Sequence, residues 1–209
     1  MKTLTALLTA LTISTTSCGG LLIQRPTDNI PSSIQDYLQY IDKNNFHYAP
    51  PDHPSLCAAY SGQYLEQEKV GVCDEFAMNA LLHLIDQKDI PDLFLVSYYG
   101  LRDTKSKDCK GEMTNESGHA IIVYETSKGT WRSLSNGKDE GVEATTLESV
   151  VYHSAENHQF TTLQRITAVP RTTLQQPDVR KTILYTPPQQ DLNYFLGFLY
   201  RQYRIFPKI

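Results

Sequence analysis

Across residues 74–87 the apolar positions Phe76, Ala77, Ala80, Leu81, Leu84 and Ile85 recur at three- and four-residue intervals, the spacing that gathers side chains on one face of a helix. Leu82 widens that face, so this helix is expected to be well buried. An earlier helix is expected from Ser32 or Ser33, either of which can cap it, with Ile34, Tyr37, Leu38 and Ile41 at helical spacing. A second is expected over residues 56–67, after a loop broken by Pro50, Pro51 and Pro54. The pattern then changes. Leu93, Phe94, Leu95, Val96, Ser97, Tyr98 and Tyr99 form a strand-rich run that ends at Gly100. Residues 102–117 are polar and charged with no periodicity, which predicts a surface loop. Strands are expected at 120–124 and 131–134, joined antiparallel by a hairpin turn at 127–129. Beyond Gly141 the pattern weakens: a short helix is expected over 146–152 and strands over 163–169 and 180–185. Leu192, Phe195, Leu196, Leu199 and Tyr200 fit an amphipathic tail helix, for which packing on the domain is favoured over contact with a membrane or partner.

The N-terminus reads differently. Lys2 precedes a short apolar stretch, 4–13, followed by small residues, the form of an export leader covering 1–18. Residues 19–31 lack periodicity and read as a linker, so the domain is expected over 32–209. No run approaches the length of a transmembrane helix. The mature protein is therefore expected outside the cytoplasm, in the periplasm or cell envelope. Cys18, between Ser17 and Gly19, resembles the lipidation cysteine of bacterial lipoproteins, although Thr15 stands where that motif prefers Leu. Lipid anchoring and simple cleavage both remain open. The 209 residues allow one domain with a sizeable core, and a hydrophobic share of 40% with 20% charged residues is that of an ordinary globular protein. A net charge of -4 argues against a nucleic-acid partner.

Gly71, Val72 and Cys73 put a cysteine at the first turn of the strongest helix, directly after a glycine. Unpaired backbone N–H groups and the positive end of the helix dipole favour a thiolate there, and the same N–H groups can donate to an oxyanion. Asp74 and Glu75 oppose the thiolate. Of six histidines, His119 alone heads an expected strand. No Cys or His pair has zinc-ligand spacing and no phosphate-binding glycine loop is present, so no metal or cofactor is expected.

Three blocks together resemble the transglutaminase-like superfamily, which includes transglutaminases and bacterial cysteine peptidases and amidases. The first is Gly71-Val72-Cys73-Asp74-Glu75-Phe76-Ala77, similar to the nucleophile block. The second runs from Ile90 and Pro91 to Gly100, and the third from Gly118-His119-Ala120 through Gly129-Thr130-Trp131 to Leu134-Ser135-Asn136. They span about a third of the chain. The resemblance implies an α+β fold with a papain-like core, the Cys73 helix packed on an antiparallel sheet. It implies acyl transfer on a peptide or protein substrate, with Cys73 as nucleophile and His119 as base. Hydrolysis is favoured over transfer to an amine. Where the family places an Asp to orient the histidine, this chain has Ser135 in register and Asn136 next to it. Asn136 is the expected third member, and a plain turn at 135–137 is the competing reading. Asp89 and Leu93 also depart from the family pattern, at positions where it usually carries Gly and Arg. Gln67 lies at the offset of the oxyanion glutamine of papain-like peptidases, with Gln63 and Tyr64 as competitors. If Cys18 belongs to the leader and Cys73 is the nucleophile, Cys57 and Cys109 remain as one disulfide or two free thiols. The missing Asp supports an alternative: a catalytically inactive envelope lipoprotein that uses the scaffold for binding.

Overall fold

The computed structural model describes residues 30–50, 62–108 and 110–185. The leader, Cys18, Cys57, Cys109 and the tail helix expected from residue 191 onward lie outside the described residues. Mixed α and β elements surround one five-stranded sheet, antiparallel throughout. In chain order they are α1 (Ser32–Lys43), β1 (His47–Tyr48), α2 (Gly62–Glu68), β2 (Val70–Gly71), α3 (Cys73–Leu84), β3 (Leu93–Lys107), β4 (Met113–Glu125), β5 (Trp131–Ser135), β6 (Lys138–Asp139), α4 (Leu147–Asn157), β7 (Phe160–Pro170), α5 (Arg171–Leu174) and α6 (Pro177–Tyr185). The sheet order is β6-β5-β4-β3-β7.

Alternation along the strands divides the core in two. Leu93 and Leu95 of β3, Ala120, Ile122 and Tyr124 of β4, and Leu134 of β5 meet Ile34, Tyr37 and Ile41 of α1 and the apolar face of α3. Val96 and Tyr98, Ile121 and Val123, and Ile166 and Ala168 meet Val150, Val151 and Ala155 of α4. A side-chain period of two makes these opposite faces of one sheet. Both are covered, which is why β3 and β4 read as continuous apolar runs.

Three expectations need correction. Residues 102–117 are a hairpin arm instead of a loop: the β3–β4 ladder continues past Gly100↔Ser117 and Leu101↔Glu116, shifts register, and resumes at Ser106↔Thr114 and Lys107↔Met113. Most side chains of the arm, from Asp103 to Lys107 and at Met113, are exposed, so no apolar alternation could announce it. The segment 180–185 is helical, part of α6, which opens with Pro177 at its first position and Asp178 in its first turn. Neither Ser32 nor Ser33 caps α1. Asp89, in the turn between α3 and β3, does that work, accepting from Ser32 Oγ (2.7 Å), Ser33 N (2.9 Å) and Ser33 Oγ (2.6 Å).

The local fold places the nucleophile candidate with care. β1 and β2 pair in parallel, His47↔Val70 and Tyr48↔Gly71, and Ala49 N donates to Gly71 O at 2.8 Å. The chain after α1 is thereby laid beside the two residues that lead into α3. Gly71 is required by closeness: a Cβ there would meet Leu65 Cδ1 at 2.9 Å and Glu75 Cβ at 3.0 Å. Glu75, fully buried, accepts from Val72 N at 2.8 Å and fixes the first turn.

Candidate active site

Cys73 is the first residue of α3 and 9% exposed, inside the core between α3 and the sheet. The N–H groups of Ala120 and Asp74 point at its sulfur and favour the thiolate. They are outweighed. Burial, then the negative charge of Asp74, with Glu75 adding, push the Cys73 thiol well above its ordinary value. The sequence-based expectation of a lowered thiol is thus reversed in the resting protein: desolvation of a charge in the core exceeds what one helix terminus supplies. Asp74 itself is pushed up to about 6 by burial.

His119 pairs across the ladder with Tyr98 and shares its face, the α4 side, where the two rings lie 5.5 Å apart. Its neighbour Ala120 carries the N–H that reaches Cys73, so the thiol meets β4 from the α3 side at the residue next to His119, whose ring lies on the α4 side. No hydrogen bond joins the two side chains. Burial, followed by the adjacent His158 and with Glu140 partly opposing, pushes the His119 imidazole down to about 3. At neutral pH the pair rests as neutral thiol and neutral imidazole.

The side chain that reaches His119 is Ser135. His119 Nε2 lies 2.8 Å from Ser135 Oγ, and Ser135 Oγ lies 2.8 Å from His158 Nε2. That nitrogen also lies 3.2 Å from Glu140 Oε1, while Glu140 Oε2 accepts from Ser133 Oγ at 2.6 Å. Although burial opposes it, hydrogen bonds from His158, Ser133 and Ser154 hold the Glu140 carboxyl below its usual range. Ser154 is in turn 3.1 Å from Tyr98 OH, and the His119 and His158 rings lie 3.9 Å apart with their planes tilted by 38°. The structure therefore joins His119, Ser135, His158 and Glu140 in one chain. Ser135 is 5% exposed, and Ser135 and Glu140 approach the same nitrogen of His158. A serine nucleophile needs its acid on the opposite ring nitrogen, so this is no serine triad.

Asn136 points elsewhere. It takes the left-handed conformation (φ 50°) at the turn into β6, followed by Gly137 (φ 72°). It lines a surface cleft of about 380 Å³ with Ile41, Phe46 and His47, and its buried Oδ1 has no partner. The one-residue offset puts it on the other side of the strand from Ser135, the usual consequence of a period of two. Gln67 is exposed on α2, and the donors that face Cys73 are backbone N–H groups. Cys57 and Cys109 fall outside the described residues. His158 and Glu140 were missed by sequence reasoning. Neither has a local signal: His158 is the C-cap of α4, Glu140 follows β6, and only the topology brings them to His119. Arg102 Nε fixes His158 by donating to its carbonyl at 2.9 Å.

Among the described residues no group of three or more His, Cys, Asp and Glu side chains could hold a metal ion, and no helix is long and apolar enough to cross a membrane. Comparison with protein-family models and with curated proteins returns no match to this chain.

Proposed function

We propose that this chain is an exported cysteine-dependent acyl-transfer enzyme with a transglutaminase-like, papain-like core, hydrolysing a peptide or amide bond of an envelope-associated substrate. The observation that carries it is the meeting of the first residue of α3 with β4 at Ala120, so that a thiol and two backbone N–H groups converge at the residue next to His119 in the strand. Cys73 Sγ attacks the carbonyl carbon while His119 takes the thiol proton. Nε2 is committed to Ser135, so that proton arrives at Nδ1. The N–H groups of Asp74 and Ala120 receive the oxyanion, in the role the sequence suggested for Gln67. The C–N bond breaks as His119 returns the proton to the leaving amine, and water releases the thioester with His119 again as base. Because both groups rest neutral, proton transfer accompanies attack and no ion pair is preformed.

A second reading has a specific observation behind it. A buried neutral thiol with no hydrogen bond to His119 also suits a catalytically silent scaffold that binds peptide. The experiment is a panel of peptides and carboxamides incubated with wild type and Cys73→Ala, followed by intact mass. Turnover with an acyl adduct on Cys73 in wild type alone supports the enzyme. Equal binding by both proteins without turnover supports the scaffold.

A further inference from the structure

Hydrogen-bond accounting along the chain behind His119 has one consistent direction. Glu140 is an ionised carboxylate and can only accept. The His158 nitrogen 3.2 Å from it must therefore carry a proton, whether His158 is neutral or charged. That N–H is shared with Ser135 Oγ at 2.8 Å, which makes the serine an acceptor from His158. Among the described residues the serine hydrogen then has one acceptor in reach, His119 Nε2 at 2.8 Å. Ser135 is 5% exposed, so leaving its hydrogen without an acceptor would be costly. A nitrogen that accepts from a hydroxyl carries no proton of its own.

We propose that Glu140 and His158 are positioning residues that act through the Ser135 hydroxyl to hold resting His119 with its proton on Nδ1, the tautomer that cannot take a proton from Cys73 at that nitrogen. This rests on the reading of His119 as base. The carboxylate missing from the serine position is thus present two side chains away, but with the intervening hydroxyl it orients the proton the opposite way. Activation is a change of tautomer: water takes the Nδ1 proton and returns one to Nε2, the Ser135 hydroxyl turns so that its oxygen accepts from Nε2–H, and Nδ1 is then free to act. A protonated His119 would direct a second N–H at a serine oxygen that already accepts from His158, which agrees with an imidazole that resists protonation. Ser133 and Ser154, the latter braced by Tyr98, keep Glu140 in place.

The tautomer is read directly by two-bond ¹H–¹⁵N correlation on the full chain labelled with ¹⁵N-histidine, His119 being assigned by the signal lost in His119→Gln. At pH 7 wild type is expected to show His119 protonated on Nδ1. Ser135→Ala and His158→Phe, the latter keeping a ring against His119, are expected to move it to the Nε2-protonated form favoured by unconstrained imidazole. If His158→Phe does not fold, Ser135→Ala decides alone, since it removes only a hydroxyl. An Nε2-protonated His119 in wild type, or the same tautomer in all three proteins, overturns the proposal. The result does not depend on turnover. A tautomer that shifts as expected in a protein whose Cys73 never acylates leaves this assignment standing and removes the enzymatic reading.

Discussion

Asp74 in the first turn of α3 and His119 on β4 carry opposite pH signatures. His119 has a folded value near 3 against an ordinary 6.5, so the unfolded chain binds the proton more readily. Its contribution to stability is fully present above pH 6.5 and is lost as pH falls from 6.5 toward 3. Asp74, raised to about 6 from 3.8, binds its proton more tightly in the fold. Its contribution is present below about pH 3.8 and is lost as pH rises through 6. The two slopes partly cancel in wild type. Urea unfolding of wild type and His119→Gln at pH 7 and pH 4 should show wild type losing about 3 kcal/mol more than the variant over that interval. Asp74→Asn should make the acid-side loss steeper than in wild type. Parallel curves for wild type and His119→Gln would mean that the imidazole is not buried as described.

At the scale of elements, the sequence disclosed what is apolar and periodic. The burial of Phe76, Ala77, Ala80, Leu81 and Leu84 follows from their spacing, as does the strand character of β3 and β4. The boundary of each strand was hidden wherever the ladder runs into solvent. Thr104, Lys105, Ser106 and Lys107 pair or project as part of a strand whose two faces are both wet. Polar residues there have no reason to alternate. The arm is accordingly expected to be dispensable. Replacing residues 103–114 with Asn-Gly, a two-residue hairpin turn, keeps Arg102 and its bond to the His158 carbonyl. The thermal midpoint should change by no more than about 4 °C, since little apolar area is lost. A drop much beyond that would show that the arm is packed against the domain. Ser135 and Asn136 illustrate the same limit at single-residue resolution. A strand end followed by a left-handed turn gives no pattern from which to choose the face, and it is Ser135 whose side chain lies against His119.

For the molecule as a whole, the sheet with α1 and α3 on one side and α4 on the other explains both what was legible and what was not. Cys73 and His119 could be singled out because each sits at the head of a strongly patterned element, α3 and the apolar half of β4. His158 and Glu140 could not, because α4 must return over the sheet before the end of that helix reaches β5 and β6. The central claim is that Cys73 depends on His119 despite its burial. It is tested most directly by the rate at which iodoacetamide modifies each cysteine of the native chain at pH 7, by peptide mass, in wild type and in His119→Ala. The expected result is modification of Cys73 that is slow for a free thiol and at least about tenfold slower again in His119→Ala, since a positioned base is worth about 10²–10⁴ in such steps. Equal rates at Cys73 in the two folded proteins, or a Cys73 that reacts only on unfolding, would contradict it.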